Sequence, residues 1–127
     1  MKVGFSSRRS GFTFIELLIV VTILGLLAAI GIPNYVHAQG NTRLSSIYNN
    51  LRQIENAKTV WALENRKTTG DTVGDLAALS SYFRNGTIQE VIRETYIPNP
   101  VGTPAAANLP SGVGLGPYGA GAAIPAP

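Results

Sequence analysis

The chain has 127 residues, one histidine and no cysteine, which excludes a disulfide, a thiolate zinc site and a histidine-built metal or catalytic cluster. The net charge of +3 is placed unevenly: Lys2, Arg8 and Arg9 come first, and from Phe12 onward seven basic residues balance seven acids. A basic excess confined to the start is a membrane-topology signal rather than a phosphate-binding surface, so no nucleic acid is expected as a partner.

Residues 1–11 form a short basic and polar leader. Phe12 to Ile32 follows, with Glu16 as its one charge. As a helix this stretch spans roughly 32 Å, enough for a hydrocarbon core of about 30 Å. It crosses only if Phe12 to Ile15 belong to it, which leaves Glu16 near one membrane face. A carboxylate at the bilayer centre costs about 2.5 to 3.5 kcal/mol on insertion scales, so Glu16 wants a partner or an escape to the interface. With the positive residues held in the cytoplasm, the rest of the chain faces outward. Gly25, Ala28, Ala29 and Gly31 are small positions at which packed helices could approach closely.

Pro33 closes this segment, 12–33, and inside a helix it removes a hydrogen bond and bends the axis. Gly40-Asn41 is a further point at which the helix could break. Beyond it Leu44, Ile47, Tyr48, Leu51, Ile54, Lys58 and Trp61 step by three or four, an apolar stripe with an aliphatic lysine stem in it. One long kinked helix from about Phe12 to about Arg66 is predicted, ended by Gly70-Asp71. Asp75 caps a short helix through Ser81. Asn85-Gly86 marks a turn. Ile88, Val91, Ile92, Tyr96 and Ile97 permit one or two short strands to cover the helix stripe. Residues 34–94 thus make the amphipathic helix and a small domain. Residues 95–127 carry no charge and seven of the eight prolines. That composition predicts turns, extended pieces or disorder rather than regular elements. The fold class is α+β: a long kinked N-terminal helix, its first half transmembrane, with a small domain of a short helix, a few strands and a Gly/Pro/Ala-rich tail.

Several patterns carry little chemistry. Gly114 to Gly119 fits G-x-G-x-x-G but holds a proline and has eight residues after it, too few for a phosphate-binding helix. Asn85-Gly86-Thr87 is a glycosylation sequon that the turn explains better. Asp71 and Asp75 read as solvated loop and cap acids rather than a cation site. His37 reads as an exposed helical residue, and Trp61 as packing the stripe against the strands. No catalytic set, metal site or cofactor motif emerges, and no enzymatic activity is expected.

The sharp signal is Gly11-Phe12-Thr13-Phe14-Ile15-Glu16, a basic leader ending in glycine just before the apolar run. It resembles the processing site of type IV prepilins and of the pseudopilins of type II secretion. RQIENAKTVWALENRKTTGDTVGDLAALSSYF and TYIPNPVGTP extend the likeness to about Pro104, most of all to the major pseudopilins. The resemblance implies cleavage after Gly11, N-methylation of Phe12, and a kink at Pro33. It implies that Glu16 meets the terminal amine of a neighbouring subunit in a filament. The partners it implies are a prepilin peptidase and methyltransferase, copies of the chain, minor pseudopilins and an inner-membrane assembly platform. The implied location is the bacterial inner membrane with the C-terminal domain in the periplasm, then a filament. The calcium loop of many major pseudopilins is not carried over, because no acid follows Glu94. A surface pilus subunit for adhesion, motility or DNA uptake is the near alternative. From other classes come a soluble protein released by ordinary signal peptidase after Gly31, at Ala29-Ile30-Gly31, and a monomeric membrane-anchored binding domain.

Overall fold

A computed structural model describes Met1 and residues 11–127. The chain divides into two compact units, Met1–Val36 and His37–Pro127. Helix α1, Phe14–Glu64, supplies residues to both and has Pro33 inside it. Lacking an N–H, Pro33 leaves the Ala29 carbonyl without its helical donor. Gly40-Asn41 does not interrupt the helix.

In the first unit the many apolar side chains of α1 are exposed. Phe12, Ile15, Leu26, Ile30 and Ile32 are all more than half exposed, and α1 is long and apolar enough to cross a membrane. Thr22 returns its hydroxyl to the Leu18 carbonyl at 2.7 Å, so this side chain adds no unsatisfied donor.

In the second unit the predicted stripe is the core. Ile47, Leu51, Ile54, Ala57 and Lys58 are buried, with Leu44, Tyr48 and Trp61 partly buried against them. The helix stops through a reciprocal C-terminal motif. Lys67 N–H donates to the Ala62 carbonyl at 2.8 Å, Arg66 N–H to Leu63 at 3.4 Å, and Arg66 takes φ 52°. The stop therefore precedes Gly70-Asp71, the signal read from sequence. Trp61 is only half covered, and the Lys67 ammonium lies 6.0 Å from its ring centroid.

The short helix is a 3₁₀ segment, η1 (Leu76–Tyr82), capped by Asp75, whose side chain accepts from the Ala78 amide. Asp71 accepts from the Thr68 amide at 2.8 Å. Each of these acids is thus engaged in its own turn. Asn85-Gly86 is a turn, Gly86 taking φ 74° and donating to the Phe83 carbonyl.

Three strands form one antiparallel sheet in the order β1 (Thr95–Ile97), β2 (Ala106–Asn108), β3 (Ala123–Pro125). Tyr96, Ala107 and Ile124 align across it and point inward. Only β1 comes from the segment expected to supply strands; residues 87–94 are irregular, with Ile88, Val91 and Ile92 packed on the core. The other two strands lie in the uncharged 95–127 stretch, where no regular element was expected. Its proline is accommodated because Pro125 sits on the edge strand, where no partner needs its N–H. Ala105, Leu109, Leu115 and Ile124 are buried, and the Tyr48 and Tyr118 hydroxyls meet at 3.0 Å, so this segment packs on α1. Gly114 to Gly119 closes on itself through Leu115 and Tyr118 rather than opening a helix.

Two buried charges fasten the parts. The Lys58 ammonium is 2.8 Å from Glu55 Oε1 and donates to the carbonyls of Pro98 (3.0 Å) and Thr103 (2.6 Å). Glu55 Oε1 also accepts from the Ala105 amide. The pair therefore holds both ends of the β1–β2 connection to α1. Glu94 is 1% exposed and accepts from the Val91 and Ile92 amides and the Tyr96 hydroxyl. Asn50 of α1 completes the cluster, donating to Tyr96 Oη and to the Gln89 carbonyl, both at 2.8 Å.

Burial raises the cost of ionising Glu94, but the bonds from Tyr96, Ile92 and Val91 outweigh it and hold its carboxyl below its ordinary value. Burial, together with the bond to Glu94, pushes the Tyr96 hydroxyl far up, so it remains a donor. A depressed folded-state value means stability present above the unfolded value of about 4.3 and lost as pH falls below it. The melting temperature of the second unit is expected to hold from about pH 7 to pH 5 and then drop. Glu94→Gln should lower it at neutral pH and flatten the acid limb; an acid limb unchanged in the Gln variant would contradict this role.

Candidate functional site: the start of helix α1

The segment singled out by sequence, Gly11 to Glu16, sits at the head of α1. Gly11, Phe12 and Thr13 precede the first helical residue and are exposed. Among the described residues nothing demands glycine at position 11. A Cβ built there meets nothing within 4 Å, and its φ lies outside the left-handed region. Any requirement for glycine here comes from something that handles the segment from outside.

Glu16 and Thr13 form a reciprocal cap. The Thr13 amide donates to Glu16 Oε2 at 2.8 Å, and the Glu16 amide reaches Thr13 Oγ1 at 3.4 Å. Two of the four amides left orphaned at a helix start are thereby served, and the carboxylate lies at the positive end of the helix dipole. The sequence signal is Thr13-x-x-Glu16, a capping box. The acid in the apolar run thus has a partner within its own chain. One carboxylate oxygen, Oε1, has no hydrogen bond among the described residues and remains free to accept from another donor.

Around this cap the surface is apolar. Phe12 and Phe14 are 84% and 79% exposed. Pro33 lies further along the same helix, and His37 is exposed on it. Lys2, Arg8 and Arg9, the expected topology determinants, lie outside the described residues.

One family model matches this part of the chain, that of the prokaryotic N-terminal methylation motif, over residues 6–32. The chain is type IV pilin-like. The type IV major pilin protein PilA of Myxococcus xanthus is 46% identical over 54 residues, 42% of this chain and 24% of that one. A fimbrial protein of Pseudomonas aeruginosa is 33% identical over 92 residues, covering 68% of this chain and 60% of its own. The type II secretion system core protein G of Aeromonas hydrophila is 32% identical over 60 residues, 47% of this chain and 42% of that protein. This pilin-like chain therefore aligns with a quarter to three fifths of the length of these relatives. Pilus and secretion-system proteins both appear among them. No solved structure matches significantly.

Proposed function

We propose that the chain is a structural subunit of a type IV pilus-like filament, made as a membrane precursor, cut after Gly11 and methylated on Phe12. Lys2, Arg8 and Arg9 would hold the leader, residues 1–11, in the cytoplasm. Residues 12–33 would anchor the precursor in the inner membrane and later form the filament core, bent at Pro33. Residues 34–94 and 95–127 would lie in the periplasm. The partners would be a prepilin peptidase and methyltransferase, further copies of the chain, minor pseudopilins and an assembly platform. The subunit itself would perform no catalysis.

The observation that carries this reading is the match over residues 6–32 joined to a helix whose apolar face has no cover among the described residues. Lipid covers it before assembly, and neighbouring helices cover it afterwards. Protein G relatives support a secretion filament; PilA and the fimbrial proteins support a surface pilus.

Because a side chain at Gly11 would meet nothing in the fold, Gly11→Val should fold and insert normally. It should nevertheless accumulate uncut precursor, seen on a gel as a single slower band. Normal maturation of the Val variant would contradict the assigned cleavage point.

A further inference from the structure

The second unit has an open groove of about 710 Å³ between α1 and the end of η1 with the residues just after it. Asn49, Gln53 and Asn56 form one wall, at the i, i+4, i+7 spacing that puts them on a single helix face. Tyr82, Arg84 and Asn85 form the other. The four carboxamides and the guanidinium have no hydrogen-bond or ion-pair partner among the described residues. Asn50, Asn65 and Asn99 elsewhere in the unit do spend their carboxamides on the fold, on Gln89 and Tyr96, on Trp61 and on Pro104 respectively. Tyr82 spends its hydroxyl on Glu64, which orients the ring beside the groove.

From this lining we infer that the groove binds a saccharide chain that carries a carboxylate, such as a run of uronic acid residues. Each carboxamide offers two donors and an acceptor, the complement of sugar hydroxyls, which both donate and accept. Arg84 is the sole charge on the lining, and a guanidinium takes a carboxylate through two parallel bonds. Tyr82 supplies an aromatic surface against which the C–H face of a sugar ring can lie. The volume falls within the range of about 300 to 1,000 Å³ usual for ligand sites, but the walls are more polar than apolar ligands need. This inference is independent of the filament reading, because it uses only residues of the second unit.

The test uses the full chain in lipid nanodiscs, titrated calorimetrically with oligogalacturonate and, in parallel, with the neutral maltohexaose. Saturable binding of oligogalacturonate is expected, with maltohexaose at least about tenfold weaker, the loss of one charge-assisted contact. Arg84→Gln should remove that preference. Gln53→Ala and Asn56→Ala should weaken the acidic sugar severalfold with the melting temperature unchanged, since these side chains bond to nothing in the fold. Absence of saturable binding would overturn the proposal, as would binding indifferent to Arg84→Gln and Gln53→Ala. Equal affinity for the two sugars would overturn the acidic assignment. Loss of filaments in these variants, with no sugar bound by the native chain, would place the groove between subunits and also overturn it.

Discussion

Glu16→Gln is expected to leave insertion and cleavage intact and to abolish filaments. The substitution is discriminating because the capping box accepts glutamine as well as glutamate at this position. The bonds between residues 13 and 16 can therefore survive, and only the charge is lost. Removing that charge lowers the cost of membrane insertion by up to about 3 kcal/mol, so the precursor should insert at least as well. Cutting after Gly11 would create an amine on Phe12, four residues from the acid. The free Oε1 of Glu16 is then the group that a neighbour's amine would meet in the apolar interior of a filament. Without it that cation is left unpaired, a defect worth several kcal/mol at each subunit contact. The measurement is a pair from the same cells: processing on a gel, and sheared filaments. Abundant normal filaments from the Gln variant would show that capping is the whole role of Glu16. Thr13→Val tests the other half, since it removes the hydroxyl but keeps the amide and the charge; it should weaken the cap while sparing the ion pair.

Lys58→Met should destabilise the second unit by about 3 to 5 kcal/mol, the cost of breaking a buried pair from one side. Methionine keeps the length of the stem, so the loss isolates the ammonium. Three groups are orphaned: the carbonyls of Pro98 and Thr103, and one contact of Glu55. In a unit of this size that corresponds to a fall in melting temperature of more than about 10 °C. Adding Glu55→Gln should recover part of the loss, because the uncompensated charge disappears while the side chain can still accept from the Ala105 amide. A fall under about 3 °C for Lys58→Met would mean that water replaces the ammonium freely and that the clasp is not a fastening.

The N-terminal half was legible because its signals are local. An apolar run long enough to span, a glycine before it and one acid within it need no tertiary partner to be seen. The core stripe was legible for the same reason, through the spacing of Ile47, Leu51 and Ile54. Lys58 was seen as an aliphatic stem, but its ammonium is satisfied by carbonyls some 40 residues away, which no local pattern encodes. The strands of the uncharged segment were hidden by composition. Ala106-Ala107-Asn108 has little strand propensity, and Ala123-Ile124-Pro125 ends in a residue that usually argues against one. They pair because β2 needs small side chains between Tyr96 and Ile124, and because the edge position tolerates proline. The capping box at Thr13 is less legible than its spacing suggests, because an acid in an apolar run signals a need for a distant partner as strongly as a cap three residues away.

The central claim, a prepilin-type subunit cut after Gly11, is tested most directly by the mass of the N-terminal peptide of the mature protein isolated from its native membrane. The account predicts a peptide that begins at Phe12 and carries one added methyl group on its amine. A mature chain that keeps Met1, or one that begins at Ile32, would contradict it.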